Sequence, residues 1–590
     1  MILVFGGTTE GRRAVEALEE AGTPFFYSTR SDEQKMELVN GIHLTGGMDV
    51  PEMTTFCREN DIRLLVDAAH PFATQLHINL LLASAQMHIP VIRYERIYPS
   101  HYNDVVWCED YDDAVRKLES YGIERLLALT GANTLRVLKA YWQKHECWWR
   151  ILNRDASREM ANKEGFPSKQ LVYYNETDTG KLIEQLHPQA ILTKESGVSG
   201  GFEEKVQAAK ERGVKVFAVQ RPPYPPPTIP IQQTKIEYVN GPHGLRRTVE
   251  RLLPDFYPLH SGLTTGTCAT AAAVAATIRL LESRTPEEVT VRLPNGETIN
   301  IGVTYGEGYA AVVKESGDDP DVTNGLEIRA SVEKADTFSL LGGEGVGVFT
   351  LPGFDFPPGE PAINKAPRQM IHDNLKRWGE QLQVTISVPQ GAEIAQRTFN
   401  PRLGIEGGIS IIGVSGIVKP FSEEAFIDSI RKCMEVAKAS GTETVVINSG
   451  AKSERYVKAR FPELPRQAFV EYGNYIGETL KMAEELGFPH VVLGIMLGKA
   501  VKLAAGHLDT HSRKSVMDKA FIGHLLKEAG CSIDISNIAL ARELWGKIPS
   551  EKVGDFVKVV LRHCAIHCSP LMKKSTLTIF LIDDEGNIYA

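Results

Sequence analysis

Two glycine-rich stretches of unlike chemistry stand out in this chain. The first, Gly6-Gly7-Thr8-Thr9-Glu10-Gly11, follows an apolar run, Ile2–Phe5, and precedes a helix-forming stretch. A strand, a glycine turn and a helix together aim backbone N–H groups and a helix N-terminus at a pyrophosphate. Glycines let the backbone approach the phosphates, and Thr8 and Thr9 add hydroxyl donors. The spacing departs from G-x-G-x-x-G, and a turn that binds nothing can use the same residues. At the end of the next strand, Ser28-Thr29-Arg30 offers hydroxyls and a cation, with no acid before Asp32. That set suits the 2′-phosphate of NADPH better than the free diol of NADH. A solvated loop arginine is the other reading of Arg30.

The second stretch, Gly262-Leu263-Thr264-Thr265-Gly266-Thr267-Cys268, leads into an alanine-rich run. Alanine favours a helix that packs closely. Thr264, Thr265 and Thr267 at its start form either an anion site or the N-cap of a core helix. Further on, a strand ending at Asn448 runs into Ser449-Gly450-Ala451-Lys452, and one ending at Met496 runs into Leu497-Gly498-Lys499. Ligands of open α/β sheets bind at such carboxyl ends. His507, Asp509 and His511, and likewise His563-Cys564 with His567-Cys568, invite a metal reading. Zinc needs three or four convergent ligands, and no CxxC pair completes a set, so no protein metal site is expected.

With 590 residues the chain exceeds one core and implies two to four domains. A composition of 43% hydrophobic and 24% charged residues is that of a globular protein. The net charge of −9 argues against general nucleic-acid binding. No apolar run reaches bilayer length, so no membrane partner is expected. Met1–Phe5 lacks the basic start of a signal peptide. The eight cysteines have no disulfide-framework spacing, so a reducing cytoplasm is expected.

The elements that must carry these motifs alternate at first. Ile2–Phe5, Phe25–Ser28, Leu64–Ala68, Leu126–Thr130, Ala190–Thr193 and Val214–Val219 read as strands, and Arg12–Ala21 as a helix stopped by Gly22. The proline run at 221–227 resembles a linker, but Ile236–Val239 still reads as a strand and Gly244–Leu253 as a helix. The first domain is therefore expected to span 1–253, with a linker at 254–260. Residues 261–420 carry glycine turns and short β-like runs, including Val289–Leu293, Ala310–Lys314 and Gln383–Val388. Residues 421–590 return to alternation, with helices Glu423–Ala439 and Tyr475–Leu486 and strands Thr444–Asn448, Val491–Ile495 and Thr576–Leu581. The expected fold class is an α/β, two-lobed Rossmann-like domain, then an α+β subdomain and an α/β subdomain.

In this order, Gly6–Gly11, Ser28–Arg30, Asp67-Ala-Ala-His70-Pro71-Phe72-Ala73, Leu129-Thr130-Gly131 and Thr193-Lys194-Glu195-Ser196-Gly197-Val-Ser-Gly200-Gly201 resemble the precorrin-6A reductase family of vitamin B12 synthesis. The resemblance covers about residues 1–253. It implies two lobes, a nicotinamide hydride that reduces one macrocycle double bond, and a substrate in the cleft facing His70 and the 194–201 loop. The macrocycle is edged with acetates and propionates, which call for cations and N–H donors. Lys194, Arg93 and the amides of Gly200 and Gly201 are the candidates. His70 is a substrate contact or a loop histidine capping the next helix.

A second set comprises the 262–269 stretch, Gly345-Val-Gly-Val-Phe-Thr350-Leu-Pro352-Gly353, Pro357-Pro-Gly359-Glu360-Pro361-Ala-Ile-Asn364, Pro367-Arg368, Thr398-Phe399-Asn400-Pro401-Arg402-Leu-Gly404 through Ser410, and Gly506-His507-Leu-Asp509-Thr-His511-Ser-Arg513. These resemble the cobalt-precorrin-5B C1-methyltransferase family over about 261–590. Gly413-Val414-Ser415-Gly416 departs from it where the family more often has threonines. The resemblance implies methyl transfer from S-adenosylmethionine to a ring carbon, with alignment as the main task of the protein. S-adenosylmethionine is expected at Ser449, Gly450 and Gly498. Thr264, Thr265, Thr267, Asn400, Arg402, His507, Asp509, His511 and Arg513 are expected to face the substrate.

The two implied reactions are consecutive, methylation to cobalt-precorrin-6A and then reduction to cobalt-precorrin-6B. A tether raises the effective concentration of the second site. A corrinoid-binding scaffold with one decayed domain is the alternative, and intact glycine loops count against it. The sequence leaves open NADPH or NADH, a cobalt-containing or metal-free corrinoid, the proton donor, and monomer or homo-oligomer. Any cobalt is expected to arrive within the substrate.

Overall fold

The computed structural model describes residues 1–30, 36–98, 102–174, 176–227, 234–512 and 514–590. Their packing divides the chain into two compact units. The first is Met1–His260 with Arg292–Ile299, and the second is Ser261–Val291 with Asn300–Ala590.

The first unit holds two parallel sheets of six strands each. In one lobe lie β1 (Ile2–Phe5), β2 (Phe25–Thr29), β3 (Gly41–Thr45), β4 (Leu64–Asp67) and β5 (Val91–Tyr94). In the other lie β6 (Val105–Cys108), β7 (Arg125–Ala128), β8 (Glu146–Ile151), β9 (Leu171–Tyr173), β10 (Ala190–Lys194) and β11 (Lys215–Val219). The chain then returns to the first lobe with β12 (Ile236–Val239). The sheet orders are β12-β5-β4-β1-β2-β3 and β6-β11-β10-β7-β8-β9. Both are the doubly wound Rossmann order, the outermost strand being the chain's last in one lobe and its first in the other. Strand β1 is buried throughout, as a strand covered by helices on both faces must be.

The expected strands lie within about a residue of the observed ones. Missing from the sequence reading were β3, β5, β6, β8 and β9. Strand β3 lies at a sheet edge, and none of its residues is fully buried, so it carries little apolar signal. The expected linker is well seated in part. Phe256 and Tyr257 are buried, and the Tyr257 hydroxyl donates to Ala17 O at 2.8 Å.

In the second unit the helix Thr265–Glu282 is the centre of one core, with Ala271, Ala272, Ala273 and Ala275 fully buried. It packs on strands Tyr309–Val313 and Glu327–Lys334 and on helix Lys365–Leu375. Those strands belong to a five-stranded, mostly antiparallel sheet. Small side chains on every face let strands and helix approach together. A second five-stranded sheet runs Phe469–Glu471, Thr444–Asn448, His490–Met496, Thr576–Ile582 and Ile588–Tyr589. All pairings in it are parallel except the last. Helices Glu423–Ala439, Ile476–Glu485, Leu497–Ala504 and Val553–Cys568 cover it with aliphatic side chains.

Because Ala272 has no free face, Ala272→Leu overpacks this core. A loss of about 1–3 kcal/mol is expected, read as a lower urea midpoint for the second unit.

Candidate functional site

The strand orders fix where loops can build a site. In an open parallel sheet the order reverses at one place, and the loops leaving the two strands there diverge and open a crevice. In the first lobe that place lies between β1 and β4, and in the second between β7 and β10. The first pair emits Gly6–Gly11 and Ala68–Phe72. The second emits Leu129–Gly131 and Glu195–Gly201.

At the end of β1 the glycines are sterically required. A Cβ on Gly6 would meet the Tyr27 ring at 2.4 Å, and one on Gly11 would meet the Gly6 Cα at 2.8 Å. Gly7 sits at φ +87°, which favours glycine. Its N–H donates to the Tyr27 hydroxyl at 3.0 Å. Thr8 caps the helix Thr9–Glu19, accepting from Gly11 N at 3.0 Å, and donates to Ala68 O at 2.7 Å. The first-turn amides of Thr9 and Glu10 have no intrahelical acceptor. Ser28 and Thr29 are buried at the end of β2, Thr29 bonds His43 Nε2 at 2.7 Å, and Arg30 is exposed. Asp32 lies outside the described residues.

Glu10 is only 4% exposed. It accepts from Arg96 Nε at 3.0 Å and from the Ser199 hydroxyl of the opposite lobe. Arg96 also donates to Ser196 O at 2.7 Å. These contacts tie the two crevices face to face. Lys194, at the end of β10, sits with Nζ 5.2 Å from the centroid of the Phe72 ring. Burial pulls its pKa down to about 8, with no carboxylate opposing the shift. His70 accepts from Phe72 N at 3.2 Å. Burial first, then the charges of Arg96, Lys194 and Arg93, drive its pKa down to about 3. It is therefore a neutral imidazole that holds its own loop and not a cationic acid, and it does not cap the next helix, whose N-cap Ala73 has no side-chain partner.

Three expectations change here. The Thr8 hydroxyl is spent on Ala68 O and offers no donor to a phosphate. Arg93 is 1% exposed and cannot reach a ligand. It bonds Asp67 Oδ1 at 2.9 Å, Glu95 at 3.0 Å and Ala69 O at 3.2 Å, while His77 holds the other Asp67 oxygen at 2.7 Å. The Gly200 and Gly201 amides are spent in a tight turn, on Gly197 O at 3.1 Å and Val198 O at 3.0 Å.

In the second unit the threonines also turn inward. Thr264 caps the long helix by accepting from Thr267 N at 3.2 Å, and the Thr267 hydroxyl donates to Gly416 O at 2.6 Å. Thr265 donates to the Ser410 and Ile412 carbonyls and accepts from Ile412 N at 2.8 Å. All three are buried. They staple the helix to the 410–416 segment and leave no hydroxyl for an anion. Asn400 likewise spans Gly408 O and Ser410 Oγ, both at 3.0 Å.

The parallel sheet of this unit reverses order between Thr444–Asn448 and His490–Met496. Ser449 and Gly450 leave the first strand. Ser449 N donates to Ser453 Oγ at 3.0 Å, and Gly450 N to Asn448 Oδ1 at 3.0 Å. Gly498 leaves the second, and no heavy atom stands within 4 Å of where its Cβ would be. Arg402 reaches this end of the sheet, 2.8 Å from Glu454 and 3.9 Å from Glu471. Lys499 donates to Gly473 O over the Tyr472 ring, and burial lowers its pKa to about 8. The loop after helix Leu497–Ala504 returns to the same edge, where Thr510 N donates to Asn474 O at 3.0 Å. Asp509 accepts from His511 N and pairs with Lys514, each at 3.0 Å. His507 is exposed. Arg513 lies outside the described residues. Among the described residues no group of His, Cys, Asp and Glu is arranged to hold a metal. Cys564 and Cys568 are core residues, and no helix is long and apolar enough to cross a membrane.

A cobalt-precorrin-5B C(1)-methyltransferase from Prosthecochloris aestuarii is 45% identical over 303 residues, 48% of this chain and 82% of that protein. One from Geobacillus thermodenitrificans is 42% identical over 313 residues, 51% of this chain and 83% of its own. The chain belongs to the cobalt-precorrin-5B C(1)-methyltransferase family. The CbiD family model matches residues 255–420, and the precorrin-6x reductase CbiJ/CobK model matches residues 1–240. A methyltransferase domain thus follows a fused reductase domain, both of cobalamin biosynthesis. Among solved structures, a cobalamin biosynthesis protein (cbiD) from Archaeoglobus fulgidus is 31% identical, covering 43% of this chain and 84% of that one (TM-score 0.26). A CobK precorrin-6A reductase is 21% identical, covering 43% of this chain and 97% of that one (TM-score 0.35).

In the CbiJ/CobK domain the sequence reading overlooked Tyr27, His43 and Arg96, and in the CbiD domain Glu454, Glu471 and Lys499. Glu471 alone left a signal, an acid at a strand end about twenty residues past a glycine loop.

Asp67→Ala leaves the buried Arg93 guanidinium with only the part-exposed Glu95 and takes the acid from His77. A destabilisation of about 3–5 kcal/mol is expected, measured by chemical unfolding of the full chain. A loss below 1 kcal/mol would contradict the buried-pair assignment.

Proposed function

We propose that the chain is a bifunctional enzyme that methylates C1 of cobalt-precorrin-5B with S-adenosylmethionine and then reduces the resulting cobalt-precorrin-6A to cobalt-precorrin-6B with NADPH. The observation that carries this reading is the match of the two halves of the chain to two families of one biosynthesis, with a glycine-bearing reversal point of a parallel sheet present in each unit.

In the reductase domain the residues fit a dinucleotide. Gly6 and Gly7 keep side chains out of the loop, the Thr9 and Glu10 amides suit a pyrophosphate, and exposed Arg30 suits a 2′-phosphate. When bound, the nicotinamide supplies a hydride, and the protein's part is to orient it. Lys194 is the cation for a macrocycle carboxylate, since no protein carboxylate opposes its charge. Arg93 stiffens the floor of the crevice through Asp67. His70, neutral, offers a hydrogen bond from Nε2.

In the methyltransferase domain Ser449, Gly450 and Gly498 suit the methyl donor, whose sulfonium is already activated for displacement. Arg402, Lys499 and the 507–511 loop lie at the same sheet end and suit the acidic edge of the corrinoid. Alignment of ring carbon and methyl is then the whole catalytic demand, worth up to about 7–11 kcal/mol in favourable cases.

The deciding experiment feeds cobalt-precorrin-5B to the full chain and follows product mass. S-adenosylmethionine alone should add one methyl, and NADPH should then add two hydrogens. Gly450→Leu should abolish the first step and spare the second, because φ +141° and a Cβ 3.3 Å from Glu471 leave no room for a side chain. Methyl gain without reduction would leave the N-terminal domain as a binding module. No methyl gain with authentic substrate would return the reading to a scaffold.

Lys194 loses its charge as pH rises through about 8. The reductase KM for cobalt-precorrin-6A should climb across that interval. In Lys194→Met the KM should be raised at neutral pH and flat across it. An unchanged slope in the variant would remove Lys194 from the site.

A further inference from the structure

Among the described residues the carboxylate of Glu471 stands between the charges of Arg402 and Lys499, and neither of its oxygens has a close partner. It ends the strand Phe469–Glu471, which pairs in parallel with Thr444–Asn448 so that Asn448 lies opposite Glu471. About a quarter of its side chain is exposed (26%), and Arg402 stands 3.9 Å away while giving its close contact, 2.8 Å, to Glu454. Burial raises its pKa from the ordinary carboxylate range. A Cβ on Gly450 would lie 3.3 Å from Glu471 Oε1, so the glycine keeps the space before the carboxylate open. On the other side of Thr444–Asn448, Gly498 borders open space.

The order of parts is a strand, a glycine turn, the helix Ala451–Arg460, and an adjacent parallel strand ending in an acid about twenty residues past the glycine. Where a parallel sheet binds a nucleotide, an acid in that place accepts from the ribose hydroxyls. The glycine spacing here is not that of a dinucleotide fingerprint, and the cation that follows the Ser449-Gly450 turn, Lys452, is paired with Asp584 at 2.8 Å. A nucleoside without phosphates is the ligand that fits. We propose that Glu471 accepts hydrogen bonds from the ribose diol of an adenosyl nucleoside lying across Gly450 and Gly498. This rests on the S-adenosylmethionine reading above and adds the residue that orients its sugar.

The test is calorimetric binding of S-adenosylhomocysteine and of its 2′-deoxy analogue to the full chain. Wild-type protein should bind the deoxy analogue about 10- to 100-fold more weakly, the range of a hydrogen bond to a charged group. Glu471→Ala should bind S-adenosylhomocysteine weaker by a similar factor and no longer distinguish the two. Glu471→Gln should fall between. Matching circular dichroism and unfolding midpoints establish that the variants fold. A Glu471→Ala protein that still prefers the hydroxylated ligand by the wild-type factor would overturn the assignment, and so would equal weakening of both ligands. Failure of wild-type protein to bind S-adenosylhomocysteine at all would overturn the underlying cofactor reading, a separate outcome.

Discussion

Two neighbouring parallel strands can be joined only by a crossover, and a right-handed crossover returns the chain to the same end of the sheet. Every connection leaving the carboxyl end therefore competes for one rim. Where the strand order reverses, successive crossovers go to opposite faces and leave a gap that no helix covers. Among the described residues there are three such gaps, at β1/β4, at β7/β10 and at Thr444–Asn448/His490–Met496. Gly6–Gly11, His70, Lys194, Ser449, Gly450 and Gly498, proposed above to meet ligands, end or follow the strands that border these gaps. The remaining structure serves to hold those rims still. The Asp67–Arg93–His77 set locks the floor of one, and Glu10 and Arg96, paired with each other, fasten it to its opposite through Ser199 and the Ser196 carbonyl.

What the residues disclosed and what they hid follow from one distinction. Apolar runs report burial directly, so β1, β2, β10 and the strands at 444–448 and 490–496 could be read from hydrophobic pattern alone. Glycines report steric need, and Gly6, Gly11 and Gly450 each face an atom that a side chain would crowd. Polar residues report only that a partner exists. Thr264, Thr265, Thr267 and Asn400 were expected to face a ligand, and their hydroxyls and amide find backbone carbonyls instead. A hydroxyl at a helix start serves a cap or a ligand with the same sequence signature. Which one it serves depends on segments distant in sequence, here 408–416. Arg93 misled for the same reason, since its partner Asp67 lies on a neighbouring strand.

The electrostatics separate the two kinds of cation. Arg93, Arg96 and Arg402 each have a carboxylate within about hydrogen-bond reach, the geometry in which a planar guanidinium is worth most. Their charge is neutralised within the protein and available to stiffen it. Lys194 and Lys499 are different. One rests on the Phe72 ring and the other on Gly473 O and the Tyr472 ring. An aromatic face and a carbonyl dipole stabilise an ammonium only in part, so burial prevails and both pKa values fall to about 8.

A fold gains nothing from a buried lysine held this way. The lowered pKa means the folded state disfavours the proton, so the charge costs stability in full at neutral pH, less as pH rises through about 8, and nothing only above the ordinary lysine pKa of 10.5. That cost is recovered when a ligand supplies the missing negative charge, because an ion pair formed in a desolvated crevice is screened far less than one on the surface. A neutral substrate would offer no such return. A ring edged with carboxylates would. Lys194 is thus the cation that no protein carboxylate opposes, whereas at Lys499 the charge of Glu471 works against the effect of burial.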